Sequence, residues 1–221
     1  ALDVADLIAL DLPAADQPNH DAQRARSRWL EASGIRSGPA FRPIDRHGNV
    51  SADRFAHTLL ATLLGGNMSS RLFQEVREKR GLAYSIYIFA GSLRDGGLFG
   101  IYAGTGEKEA RELLPIVCDE LLKLPHDISA EELSRAAAQL KAGILMAREK
   151  TSARCEQLAA QLLIYDRVLS PAEIVAKVDA VTLEDLSRIA RRLTASKPTL
   201  TAMGPVGEVM DLASLRARLQ A

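Results

Sequence analysis

The feature that most limits what this chain can fold into is a change of hydrophobic period across a single glycine, Gly81. Before it, Leu72, Phe73 and Val76 recur at helical spacing, and Glu75, Arg77, Glu78, Lys79 and Arg80 fill the remaining face. After it, Tyr84, Ile86 and Ile88 alternate with Ser85, Tyr87 and Phe89, the pattern of a strand. Gly81 suits the C-terminal cap of that helix, and cationic Lys79 and Arg80 suit the negative end of its dipole. Upstream, Ser69 or Ser70 is placed to cap the helix, while the Gly65-Gly66 pair permits positive φ or the close approach of another segment. The stretch from Gly65 to Tyr87 is therefore the organising one.

Regular signals continue on both sides of it. Ser51 is expected to cap a helix whose apolar positions Phe55, Leu59, Leu60, Leu63 and Leu64 face a core, with Gly65 ending it. Ala83 to Thr105 reads as a β-hairpin turning at Arg94 to Gly97. Glu107 to Lys123 is an amphipathic helix with Leu113, Leu114, Val117, Leu121 and Leu122 inward, broken by Pro125. Ser129 and Glu132 form a capping box for a helix running to about Lys150, and a further helix spans roughly Ala153 to Val168 through Leu158, Leu162 and Ile164. Ser170, Pro171 and Glu173 start another, Thr182 to Leu193 is one more, and a strand is expected over Thr199 to Met203 before Gly204-Pro205. This order predicts an α+β fold: a two-layer α/β sandwich whose largely antiparallel sheet is covered on one face by helices. Residues 1–50 differ in texture and are expected to be a divergent segment or linker apart from a domain over 51–221. They offer one short stripe, Val4, Ile8 and Leu12, a loop from Pro13 to His20, a polar helix from Gln23 to Ala32 with Trp29, and an irregular Gly34 to Asn49.

Charge and cysteine content narrow the function. The 221 residues carry 28 Lys plus Arg against 28 Asp plus Glu, so no net charge draws the chain to nucleic acid or an anionic membrane. No apolar run approaches the roughly 18 residues of a membrane span. Cys118 and Cys155 fall in helical segments and are expected to be buried bystanders, which favours a reducing compartment. The cytoplasm is the favoured address, with the periplasm as the alternative. Because the sequence starts with Ala, a processed or trimmed product is expected.

Few residues offer chemistry. The histidines are His20, His47, His57 and His126, and neither H-E-x-x-H nor H-x-x-E-H occurs, so no metal ligand set is expected in this chain. His57, on the first regular helix, is expected to be structural or at the surface. The Gly65-Gly66 pair lacks the Lys-Ser/Thr of a P-loop, although a helix N-terminus behind glycines remains able to hold an anion. Arg77 and Tyr84 are the notable pair. A reversal at Gly81 can bring guanidinium and phenol to one rim, where both donate hydrogen bonds to a carbonyl. On spacing alone, the plainer reading has Arg77 paired with a carboxylate and Tyr84 packed in the hairpin.

The run LLGGNMSSRLFQEVREKRGLAYSIY, the stretch Gly96 to Thr105, and then ISAEELSRAAAQLKAGILMARE, VTLEDLSRIARRLT and LTAMGP resemble the C-terminal half of the pitrilysin/insulinase superfamily, in its bacterial type similar to mitochondrial processing peptidase. The likeness covers about Ser51 to Pro205. It implies a clamshell of two homologous halves around a chamber, of which one carries an inverted zinc motif and the other has lost it; this chain resembles the second. Arg77 and Tyr84 match the family's Arg and Tyr seven positions apart, implying contacts to the substrate backbone and to the oxyanion. The loop with Gly65, Gly66, Ser69 and Ser70 matches a glycine-rich loop used in substrate handling. The strand bearing Gln or His and then Gly, which precedes the first helix in this family, is not found in Ala1 to Val50. The resemblance thus implies no cofactor here, zinc in a homologous partner half in the same polypeptide or a separate subunit forming a dimer, and a peptide substrate. The alternative implied is a structural subunit like the respiratory-complex core proteins, with no role in proteolysis. A self-sufficient hydrolase is the remaining reading.

Overall fold

The computed structural model describes residues 52–92 and 97–220. The Ser51 cap, residues 94–96 of the hairpin turn and every expectation for residues 1–50 lie outside the described residues. Helix α1 (Ala52–Gly65) is central. Phe55, Leu59, Leu60, Leu63 and Leu64 are buried as their spacing requires, and Ala56 and His57 are buried with them. Gly65 closes the helix by close approach and not by a positive φ: a Cβ there would stand 2.5 Å from Cγ1 of Ile88.

The segment after α1 departs from expectation. Instead of an α-helical turn, Phe73–Glu78 is a π-helix, with the Lys79 N–H donating to the Gln74 carbonyl at 2.9 Å. Such a turn holds one more residue than an α turn. Leu72 and Val76 are nonetheless buried. Gly81, at φ 64°, closes it: its N–H donates to the Arg77 carbonyl at 3.1 Å, and that of Leu82 to the Val76 carbonyl at 2.8 Å. Lys79 and Arg80 do sit at this end, but both fold back to Glu75 at 2.7 Å. Lys79 first, and then Arg80, hold the Glu75 carboxyl at about 2. The expected serine cap is replaced, because the Ser70 hydroxyl donates backwards to the Asn67 carbonyl at 2.5 Å and no side chain caps the π-helix.

Strands β1 (Ala83–Ser92) and β2 (Gly97–Thr105) form the expected antiparallel hairpin. Ile86 lies opposite Ala103 and Ile88 opposite Ile101, the face turned to the core. Tyr87 opposite Tyr102 and Phe89 opposite Gly100 make the other face. Tyr84 does not share the face of Ile86. The pairing slips between Ala83 and Ser85, so Tyr84 is the extra residue of a β-bulge and points outward, 84% exposed.

Helix α2 (Ala110–Asp127) runs through Pro125, which had been expected to break it. A proline this close to a C-terminus removes one ladder bond, and the Ser187 hydroxyl donates to the Pro125 carbonyl at 2.5 Å, satisfying one open acceptor. The remaining helices are α3 (Ala130–Ala147), α4 (Thr151–Tyr165), α5 (Pro171–Asp179), α6 (Leu183–Thr194) and α7 (Leu212–Leu219). Complete capping boxes start α3 (Ser129 with Glu132) and α6 (Thr182 with Asp185). At α5 only the Ser170 half forms, because the Glu173 carboxylate is taken by Arg167 at 2.6 and 2.9 Å. No strand forms over Thr199 to Met203; burial alternates there, but only Met203 makes a bridge.

The architecture is thus mixed α/β, helix-rich, with a two-stranded antiparallel sheet among the described residues. Helix α1 packs against β1, α3 and α6, while α2 packs on α6 and α7. Asp53 at the start of α1 binds Arg188 at 2.5 Å and Arg192 at 2.8 Å, tying it to α6. Helix α4 is unlike the others. Gln161 faces inward and accepts from the Leu169 N–H at 2.9 Å, whereas Leu158, Leu162 and Leu163 face out. Cys118 is buried as expected, but Cys155 on α4 is exposed.

Candidate functional site

The π-helix and the bulge converge on one place. The Arg77 guanidinium carbon lies 4.8 Å from the centre of the Phe73 ring and 5.6 Å from that of Tyr84, standing over both. Gly81 makes this possible, since its left-handed turn reverses the chain between them. Both side chains of the predicted pair are at the surface and on the same side of the reversal. Among the described residues, the carboxylate near Arg77 is that of Glu78, at 4.0 Å, too long for a hydrogen bond. Neither part of the plainer reading is met among the described residues: the carboxylate beside Arg77 stands beyond hydrogen-bond reach, and Tyr84 is exposed at the bulge.

A guanidinium whose neighbours are aromatic rings, not carboxylates, keeps its N–H donors available. Such donors suit a carbonyl or carboxylate oxygen. Tyr84, whose ring stands 5.6 Å from the guanidinium carbon, carries a further donor in its hydroxyl.

The glycine-rich loop lies at the other end of the π-helix. Gly66 and Ser69 are exposed, whereas Gly65 and Ser70 are buried. Asn67, which sequence reasoning passed over, organises it: its Oδ1 accepts from the Ser69 N–H at 2.7 Å, and its amide donates to Gln139 Oε1. Gln139 on α3 in turn donates to the Gly66 carbonyl at 3.1 Å, and Gln74 donates to that of Met68 at 2.7 Å. An Asn directly after two glycines was the signal for this turn. Phe73 was also missed as a partner of Arg77. Its position four residues earlier on one helical face was the signal.

Behind the loop, Arg71, two residues ahead of the π-helix, ties the chain there to the start of α3 and the end of α2. It binds Glu132 at 2.6 and 2.7 Å and Asp127 at 2.5 Å. Burial disfavours its charge, but the hydrogen bonds to Glu132 and Asp127 outweigh this and raise its pKa. The same bond from Arg71 holds the Glu132 carboxyl at about 2.

Metal ligands do not gather. Among the described residues no three His, Cys, Asp or Glu side chains could hold an ion together. His57 packs its ring 5.3 Å from that of Phe99, and burial, followed by the charge of Arg192, lowers its pKa to about 4. It is a neutral core residue. Burial pushes the Cys118 thiol up, away from the thiolate a metal would need.

Residues 42–140 match the family described as Peptidase M16 inactive domain. The chain is 36% identical over 197 residues to an uncharacterized zinc protease of Streptomyces coelicolor, covering 88% of this chain and 43% of that protein. It is 34% identical over 152 residues to YmxG, an uncharacterized zinc protease of Bacillus subtilis, covering 68% and 37%. It thus spans about two fifths of the length of the curated relatives it matches. In fold it is similar to a chain of Complex III2 from Candida albicans with Inz-5 bound, at a TM-score of 0.70 and 20% identity, covering 76% of this chain and 43% of that one. A protease from Helicobacter pylori is similar at a TM-score of 0.54 and 23% identity, covering 68% and 35%.

Proposed function

The chain carries the inactive, C-terminal domain of peptidase family M16, and from that premise we propose that it is the non-catalytic half of a zinc endopeptidase, gripping the peptide backbone through Arg77 and Tyr84. The observation that carries this reading is the shared exposed rim on which the two side chains meet. The cutting chemistry belongs to a homologous zinc-bearing half, in the same polypeptide or a separate subunit. Two facts support that assignment: the chain spans only 43% and 37% of the two relatives named zinc proteases, and the residues described here do not fit a zinc site.

In this reading the residues of this chain bind and orient. The guanidinium edge of Arg77 and the phenol of Tyr84 donate to a peptide carbonyl, holding the chain in place and favouring negative charge as it develops on the oxygen. The exposed Gly66 and Ser69, at the other end of the π-helix, also meet the substrate in this reading, while buried Gly65 and Ser70 keep the loop in shape. The peptidase-like unit is taken to extend over residues 51–221, with the family match itself beginning at residue 42.

The test is made in the complete two-half enzyme. Arg77→Ala should lower kcat/KM by about 10² without abolishing folding, as the loss of one oxyanion donor does elsewhere. Unchanged turnover would remove the role. The second reading, a structural subunit with no part in proteolysis, draws on the same ring contacts, which hold Arg77 in place whether or not a peptide arrives. It requires that Arg77→Ala shift the melting temperature and leave turnover alone.

A further inference from the structure

We infer that Phe73 is a positioning residue that presents the Arg77 guanidinium to the substrate, an inference that rests on the peptide-gripping role proposed above. A solvent-facing arginine samples many rotamers and loses that freedom on binding. Here the freedom is already reduced. The guanidinium stands over the Phe73 ring at 4.8 Å, closer than over Tyr84 at 5.6 Å. The Phe73 ring is itself held, being partly buried against the core between fully buried Leu72 and Val76. Tyr84, by contrast, is 84% exposed at a bulge. Phe73 is therefore the better-anchored platform, and Tyr84 the exposed second ring.

Geometry separates the tasks of ring and acceptor. Cation–π contact uses the faces of the guanidinium, whereas hydrogen bonding uses its edges. A carboxylate partner would orient Arg77 equally well but would consume the donors the peptide needs. An aromatic platform orients it and leaves them. Phe73 and Arg77 also lie in one π-helix, which starts two residues after the Arg71 tie to α3 and which Gly81 closes, so their spacing does not depend on a loop.

The experiment compares Phe73→Leu and Phe73→Met, which keep apolar volume without a ring, with Phe73→Tyr, which keeps the ring. Each is made alone and together with Arg77→Ala in the complete two-half enzyme, with folding followed by thermal melting. Phe73→Leu and Phe73→Met should lower kcat/KM about fivefold, the factor one cation–π contact supplies. Phe73→Tyr should stay within about twofold, and no Phe73 change should add to Arg77→Ala. A second readout needs no substrate: the Arg77 Nε–Hε proton resonance, shifted by the ring in the native chain, should move in Phe73→Leu and stay in Phe73→Tyr. An unmoved resonance, or losses that simply multiply with that of Arg77→Ala, overturns the positioning role. If Arg77→Ala lowers turnover and the Phe73 variants do not, the platform fails while the grip stands. If Arg77→Ala itself changes nothing, the grip fails and the positioning role falls with it.

Discussion

A single methyl group measures how closely α1 approaches the ribbon. Gly65 has its would-be Cβ 2.5 Å from Ile88 Cγ1 and 2.9 Å from Cδ1, with no room for both. Gly65→Ala should destabilise the fold by about 1–3 kcal/mol, despite the helix propensity it gains, because a packed core absorbs overpacking poorly. The midpoint of denaturant unfolding reads this directly. In an Ile88→Ala background, which removes Cγ1 and Cδ1 together, Gly65→Ala should cost less, and an unchanged cost would show that the strain lies elsewhere.

Charge is the second matter at this scale. Glu132 is half of a capping box and also the main partner of Arg71, with a folded-state pKa of about 2 against an ordinary 4.5. Its carboxyl binds a proton more weakly folded than unfolded, so its contribution is complete above pH 4.5. The contribution shrinks as the pH falls from there and is gone below about 2. Both side chains are mostly covered, and after allowance for solvent screening about 2 kcal/mol is at stake. Glu132→Gln should therefore lower stability at pH 7 and flatten the acid limb of the stability curve between pH 4.5 and 2. A variant with an unchanged acid limb would refute the assignment.

At the level of elements, the caps are the most local test. Thr182→Ala removes the acceptor for the Asp185 N–H at the start of α6, a helix that packs on both α1 and α2, and should cost about 1 kcal/mol. Thermal unfolding would show it, with Thr182→Ser nearly neutral. These caps were legible in the sequence because Ser129/Glu132 and Thr182/Asp185 act within four residues. The hairpin and the buried face of α1 were legible because their periods repeat over several residues. What sequence did not disclose were single-residue insertions. Nothing local says that Phe73–Glu78 takes the wider turn, or that the bulge falls at Tyr84, because both are set by how the flanking segments pack. The fate of Pro125 depended on Ser187, 62 residues away, and the missing strand after Pro198 on a neighbour that alternation alone cannot supply. At the candidate site, spacing left the Arg77–Tyr84 pair open and resemblance singled it out, whereas Asn67 and Phe73 were passed over, since each acts through a neighbour.

At the scale of the whole molecule, the proposal requires two halves. Mixed with a zinc-bearing half, the chain should elute with it in size-exclusion chromatography, and neither alone should cleave a quenched-fluorescent peptide. Cleavage by the zinc-bearing half alone, at the full rate, would leave this chain without a part in the reaction.

Helix α4 turns Gln161 inward and leaves Leu158, Leu162 and Leu163 at 41, 50 and 73% exposure. Water wets such a helix on its greasy side, so a preparation of the chain by itself should precipitate early as ammonium sulfate is added, since salts excluded from the surface strengthen apolar contact. Leu163→Lys should raise the salt needed to bring it down and leave the melting temperature where it was.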